Sequence, residues 1–272
     1  MNKKSDNMAT IEELAIRPFK ALQEHNLSAG YERSFKLSAH SISANRYLLG
    51  VDIELLPEEV LSDICNKLGM SHLQFDTFLK LSNRANLVLF GFDENNSDPV
   101  YKVYLEFWDL IRGEHSLSDD FPLPRLMHKG FKWRCLDPQS HVDTDYRYLT
   151  KMGVNATVKR MQDFFPHKDS KIFQQIKQAV RLCFDKQADA EYIFLEVSET
   201  QNDRKSFDIN LYPADLQIRD IANEISAVAN HFAVDSAKVD RLMRLVENKT
   251  LGHLSGGCGR DGEEYLTVYY EQ

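Results

Sequence analysis

Cysteine is scarce in this 272-residue chain: Cys65, Cys135, Cys183 and Cys258 stand far apart with no CxxC pair. That spacing excludes the usual zinc motifs and a disulfide framework, and leaves reduced thiols. Long apolar runs are missing too. No stretch reaches the roughly 18 residues of a membrane span. The first residues, MNKKSDNMATIEELA, are too polar for a secretory signal, so a cytoplasmic location is expected. Lys and Arg never form a run, and the net charge is −8. A nucleic-acid partner needs a basic face, so any anion must be held by a few local cations. SGGCGRDGEE (255–264) lacks a following GK[ST], which excludes a P-loop and leaves a hairpin turn. The His residues follow no HExxH pattern, and Asp137, His141, Asp143 and Asp145 lack the Gly and distal Glu of a calcium loop. His253 could face inward, and is read as a satisfied structural histidine.

What the chain does have is a repeat. Residues 51–57 read VDIELLP and residues 207–213 read FDINLYP, 156 positions apart. Each is followed by two amphipathic helical stretches and a hairpin ending VYLE (103–106) or VYYE (268–271). A unit repeated in this way cannot bury its apolar face alone, so neighbours close around a shared axis, and function is expected on that axis. The stretch 10–26 has helical spacing, whereas 31–38 and 45–55 alternate. Tyr47, Leu49, Val51, Ile53 and Leu55 take one face of the second strand; Arg46, Leu48, Gly50, Asp52 and Glu54 take the other. Helices are expected at 57–68 and 72–82, a hairpin at 85–92 and 99–108, and a third around the DPQS turn. Two helices over 151–186, a hairpin at 191–199 and 205–212, two more helices and a last hairpin complete the chain.

Five hairpins joined by helices give about ten strands, each apolar on one face. The fold class is therefore α+β, with one domain over 1–272: helices cover the apolar face, and closure removes the exposed edges. A barrel of about ten strands is too wide for side chains to fill, so the polar face lines a chamber. Alternation turns Glu32, Ser34, Lys36, Arg46, Asp52, Glu54, Lys102, Tyr104, Glu106, Lys132 and Arg134 inward. It does the same for Tyr192, Phe194, Glu196, Asp208, Asn210, Tyr265, Thr267 and Tyr269. Arg forks, Lys ammonium groups and Tyr hydroxyls together suit a diphosphate. Carboxylates can take a proton from an acceptor, and aromatic faces can shield a carbocation.

YERSFKLSAHSISANRYLL (31–49) places a Glu on one strand and, fourteen residues later, an Arg on the next. YKVYLEF (101–107), HKGFKWRCLD (128–137) and EEYLTVYYE (263–271) follow it. On these segments the chain resembles the ABBA-fold prenyltransferases, and among them the cyanobactin-type (RiPP) peptide prenyltransferases. The resemblance implies ten antiparallel strands built from αββα repeats inside a ring of helices. It implies Glu32 as base, with Arg46, Lys102, Tyr104, Lys132 and Tyr269 on the diphosphate. It makes Phe194, with Tyr192 beside it, the wall of an isoprenoid pocket sized for dimethylallyl rather than geranyl diphosphate. The implied acceptor is a peptide side chain, with Mg²⁺ assisting the diphosphate.

The residues read as inward are rich in carboxylates, and paired carboxylates clamp a guanidinium. Glu54, Glu196 and Asp208 are therefore read as acceptor-binding and Arg as the acceptor, ahead of Trp or Tyr. A small-molecule aromatic prenyltransferase, which needs a closed, apolar acceptor end, is one alternative; a non-catalytic ligand-binding barrel is another. The DDxxD motif of all-α isoprenoid synthases is missing, since SDDFP (118–122) lacks its third Asp. No protein ligands for a metal are assigned.

Overall fold

The computed structural model describes residues 9–95, 99–113, 125–149, 152–200 and 202–271; SDDFP lies outside them. The first unit contains α1 (Ile11–Glu24), β1 (Gly30–Ser38), β2 (Ser41–Asp52), α2 (Glu58–Lys67) and α3 (His72–Ser82). Next come β3 (Leu87–Asp93), β4 (Val100–Glu106), the short α4 (Trp108–Gly113), β5 (Arg125–Arg134) and β6 (His141–Leu149). Then follow α5 (Val154–Gln162), α6 (Lys171–Lys186), β7 (Phe194–Glu199) and β8 (Lys205–Asn210). The last elements are α7 (Ala222–His231), α8 (Ser236–Val246), β9 (Leu251–Cys258) and β10 (Glu264–Glu271). The ten strands pair antiparallel in chain order, and β1 joins β10 to close the barrel. Among the described residues no helix is long and apolar enough to cross a membrane.

Local chemistry explains the elements. Thr10 and Glu13 form a reciprocal capping box that starts α1. In α6, Ile172, Ile176, Ala179, Val180 and Cys183 make one buried stripe. The two copies of the repeat both end a strand and tighten into a 3₁₀ turn, at Ile53–Leu55 and Tyr212–Ala214. The apolar core is the layer between barrel and helices, and it has two main bodies. One joins α1–α3 to β2–β5 through Leu14, Ile64, Phe78, Phe90 and Trp133. The other joins α5–α8 to β1 and β7–β10 through Ile176, Val180, Phe207, Val228 and Val268.

The register of the fourth hairpin corrects the expected lining. Asp208 pairs with Leu195, and Phe194 pairs with Ile209. Directly opposed residues share a face, so Leu195 joins Asp208 in the lumen while Phe194 and Glu196 point outward. Phe194 stacks on Phe207 at 5.6 Å and meets Phe164 at 6.3 Å in the helix-facing core. Glu196 is ion-paired with Arg160 of α5. Tyr192 precedes the strand and donates its hydroxyl to the carbonyls of Cys183 and Gln187, at 2.7 and 3.1 Å. Glu54 is exposed in the 3₁₀ turn because the strand has ended at Asp52. None of these four residues reaches the chamber. Replacing Phe194 by Ala is expected to lower stability by about 3 kcal/mol or more through the cavity it leaves, read as a lower midpoint in equilibrium urea unfolding.

Candidate active site

The half of the lumen nearest the hairpin turns is cationic. Lys36, Arg46, Lys102, Lys132, Arg204 and Arg260 line a cavity of about 260 Å³ there. Two carboxylates hold most of them. Asp93 Oδ2 receives both the Arg46 guanidinium and Lys102 Nζ, the latter at 2.9 Å. Burial pushes the Asp93 carboxyl up, but the two cations outweigh it and hold the group far below the usual carboxylate range. Glu199 receives Arg204 at 2.8 Å and Arg260 Nε at 2.6 Å. Lys36 and Lys132 rest instead on aromatic rings, Lys36 at 4.6 Å from the centre of Tyr265 and Lys132 at 5.4 Å from that of Tyr146. Arg204 also donates to the Tyr265 hydroxyl at 3.0 Å.

Tyr104, Tyr146 and Tyr269 line both this cavity and the next, and so form a belt between them. Tyr104 and Tyr146 meet edge to face at 5.7 Å. The belt needs room: Gly130 pairs with Tyr104 across the sheet, and a Cβ on Gly130 would lie 2.7 Å from the Tyr104 ring.

Beyond the belt, a cavity of about 480 Å³ has one apolar and one ionic wall. Leu48, Gly50, Leu87, Leu89 and Leu195 form the first; Glu32, Glu106, Asp208, His253 and Glu271 form most of the second. Glu32 Oε1 accepts the Tyr212 hydroxyl at 2.8 Å and lies 3.9 Å from His253 Nε2. His253 Nδ1 is 2.7 Å from Asp208 Oδ1. Burial pulls the imidazole down, but Asp208 and Glu32 reverse this and raise it to about 9, so it is a cation at neutral pH. Burial also raises the Glu32 carboxyl, against the opposing pull of His253 and Tyr212. The result is a carboxylate with more than ordinary basicity beside the belt.

A bulge delivers His253. Val268 pairs with Leu254 and Tyr270 with Leu251, so Gly252 and His253 together oppose Tyr269. Gly252 is needed there, because a Cβ would lie 2.6 Å from the Tyr212 ring.

Of the residues expected at the site, Glu32, Arg46, Lys102, Tyr104, Lys132, Asp208 and Tyr269 come together in this lumen. Arg134 is exposed at the end of β5, outside the cationic cavity. Asp143 and Asp145 pair with Lys129, and Asp143 also accepts from Gln74 of α3. Sequence reasoning missed Asp93, Glu199, Arg204, Tyr146 and Tyr212, and read His253 as merely structural. Strand alternation alone could have found Asp93, which follows Leu87, Leu89 and Gly91 on one face of β3. Arg204 lies in a turn, where alternation gives no signal.

No family profile matches the chain, and no curated protein matches it in sequence. Solved structures match in fold. The 5-dimethylallyl tryptophan synthase from Streptomyces coelicolor in complex with DMASPP and Trp has a TM-score of 0.62 at 11% identity, covering 94% of this chain and 88% of that one. PriB in ternary complex with L-tryptophan and dimethylallyl thiolodiphosphate has a TM-score of 0.57 at 14% identity, over 90% and 79% of the two chains. NotF prenyltransferase has a TM-score of 0.55 at 11% identity, over 98% and 97%. The chain has the ABBA prenyltransferase barrel fold.

The crowded cations would make binding of an anion here pH-dependent. Burial draws the Lys102 ammonium down to about 8, with Asp93 opposing and Arg46 adding to the shift; burial also lowers Lys36 and Lys132. A bound diphosphate favours the charged amines and raises them again. Binding between about pH 8 and 9 is therefore expected to take up protons, and affinity to fall as pH rises through 8. Calorimetry in two buffers of different ionisation heat measures the uptake; buffer-independent heats there would contradict it.

Proposed function

We infer that this chain is a prenyltransferase that moves an isoprenyl group from its diphosphate to a side chain of a peptide. The observation that carries this reading is the axial order of the lumen: cations, then a tyrosine belt, then a carboxylate beside an apolar wall. The diphosphate would rest on Arg46, Lys102 and Lys132, with Tyr104 and Tyr269 as neutral donors. Ionisation breaks the C1–O bond, and the electron pair leaves on the diphosphate, whose growing charge the cations stabilise. The allyl cation forms at the belt, against the faces of Tyr104 and Tyr146. The acceptor attacks it from the ionic side and gives its proton to Glu32. The neighbours of like fold that hold dimethylallyl analogues support dimethylallyl diphosphate as donor.

An acceptor end lined by Glu32, Glu106, Asp208 and Glu271 favours a cationic group, so the Arg guanidine of a cyanobactin-like peptide is the first choice and Trp or Tyr the next. The same carboxylates argue against the apolar pocket of a small-molecule aromatic enzyme. Mg²⁺ finds little support in the cationic half. Its carboxylates Asp93 and Glu199 are each committed to two cations, and the surplus basic groups can neutralise a diphosphate by themselves.

The test is mass spectrometry of peptides carrying Arg, Trp or Tyr after incubation with the chain and dimethylallyl diphosphate. A gain of one C5H8 unit is expected, falling by about 10²-fold or more in Glu32→Gln while diphosphate binding is retained, and surviving EDTA. Full turnover in the variant would remove Glu32 from the chemistry; binding without transfer to any acceptor would favour the non-catalytic barrel.

A further inference from the structure

Glu106 and His128 are directly opposed across β4 and β5, so they share the lumen face, and both line the cavity of about 480 Å³. Leu87 lies opposite Glu106 on one side of the pair, and Tyr146 lies opposite His128 on the other. His128 Nδ1 is shut off from solvent without a hydrogen-bond partner, 3.7 Å from Glu106 Oε2. Burial and the charge on His253 keep the imidazole neutral. A proton on Nδ1 faces the carboxylate and leaves Nε2 as a neutral acceptor.

The other carboxylates of this cavity are placed differently. Asp208 is bonded to His253, Glu32 accepts from Tyr212, and Glu271 is exposed at the end of β10. Glu106 has no directly bonded cation among the described residues, and none of those lining the cavity is Lys or Arg. Arg125, which opens β5 at the same mouth, donates to the Ile111 carbonyl at 3.4 Å. The pair therefore offers one anionic and one neutral acceptor side by side. A planar guanidinium meets both through neighbouring N–H groups. It is weakly hydrated and suits the flanking Leu87 and Tyr146, whereas an ammonium is a compact, strongly hydrated charge.

We propose that Glu106 and His128 form the subsite that selects an Arg side chain as acceptor, holding one edge of its guanidinium and turning the other toward the belt. The proposal rests on the prenyl-transfer reading. The nitrogen on the free edge forms its bond to the allyl cation as its proton passes to Glu32. The guanidinium keeps one positive charge throughout, so Glu106 stays paired in substrate and product.

Calorimetric titration of the full chain with acetyl-Gly-Arg-Gly-amide and its Lys and citrulline counterparts, in the presence of inorganic diphosphate, tests the subsite without any donor. The Arg peptide is expected to bind about tenfold more tightly than either, since Lys lacks the planar fork and citrulline lacks the charge. Glu106→Gln should remove that preference, a loss of about tenfold, and His128→Phe, which keeps a flat ring, should lose about fivefold. Unaltered diphosphate binding in both variants separates these losses from misfolding. Glu54→Gln, outside the chamber, should stay within about twofold of the parent. Equal binding of the Arg and citrulline peptides, or an Arg preference that survives Glu106→Gln, would overturn the proposal. If the Arg peptide binds as expected but no peptide gains an isoprenyl group from dimethylallyl diphosphate, the prenyl-transfer reading falls and a guanidinium site remains. If Trp or Tyr peptides are prenylated and the Arg preference is missing, the subsite falls and that reading stands.

Discussion

The pairing of β1 with β10 is the constraint on which the chamber depends. It joins strands from the two ends of the sequence in the register Glu32 to Glu271, Ser34 to Tyr269 and Phe35 to Val268. Closure removes two sheet edges and places Glu32 beside the strands that supply Tyr269 and His253. It also sets two carboxylates directly opposite each other, an arrangement that destabilises a sheet when nothing answers it. Tyr212 and the His253 imidazolium answer it, with the Tyr212 hydroxyl donating to Glu32 and the ring nitrogen of His253 nearby. The closing seam and the basic carboxylate are therefore one feature, because the groups that make closure tolerable also set the state of Glu32.

The cationic half is built on a different balance. Two like charges about 4 Å apart repel by about 4 kcal/mol at the effective dielectric of a protein site, so six basic groups cannot share one cavity without counter-ions. Asp93 and Glu199 supply them from opposite walls, on β3 and β7. Each binds two cations, which fixes the direction of Arg46, Lys102, Arg204 and Arg260 before any ligand arrives. Lys36 rests on the face of Tyr265, and Lys132 lies over Tyr104 and Tyr146 and donates to the Tyr146 hydroxyl at 3.3 Å. The pairing orients the cavity, and the remaining positive charge is what the proposed diphosphate would meet.

Much of this was legible in the sequence wherever a strand kept strict alternation. The inward set on β1, β2, β4, β5 and β10 follows from period two, and the 156-residue repeat implied closure. Reading failed where geometry depends on a partner. Phe194, Glu196 and Asp208 cannot all face inward, since the antiparallel register sets Asp208 against Leu195. That register stacks the rings of Phe194 and Phe207 at an interplanar angle of 8° on the helix-facing side, a contact that no single strand reveals. Glu54 alternates correctly with Arg46, but the chain leaves the sheet at Asp52, before that alternation can count. His253 depends on a bulge, where the period itself is interrupted.

The acid half bears on the acceptor through its unmet electrostatics. Asp208 is bonded to His253, and Glu32 has both His253 and Tyr212. Glu106 is placed otherwise. Its near neighbour is His128, at 3.7 Å, but burial and the charge on His253 draw that imidazole down to about 3, so it is neutral. The contact is not an ion pair, and burial raises the Glu106 carboxyl with only the His253 charge opposing. A partly buried carboxylate with no directly bonded cation among the described residues costs free energy that a partner can return. A guanidinium entering this mouth supplies that partner and forms paired bonds to a carboxylate. A neutral indole or phenol does not, and must leave the charge unanswered while closing off its water. On the proposed reading, a cationic acceptor in the acid half and a diphosphate in the cationic half would each answer charge that the chain leaves in place.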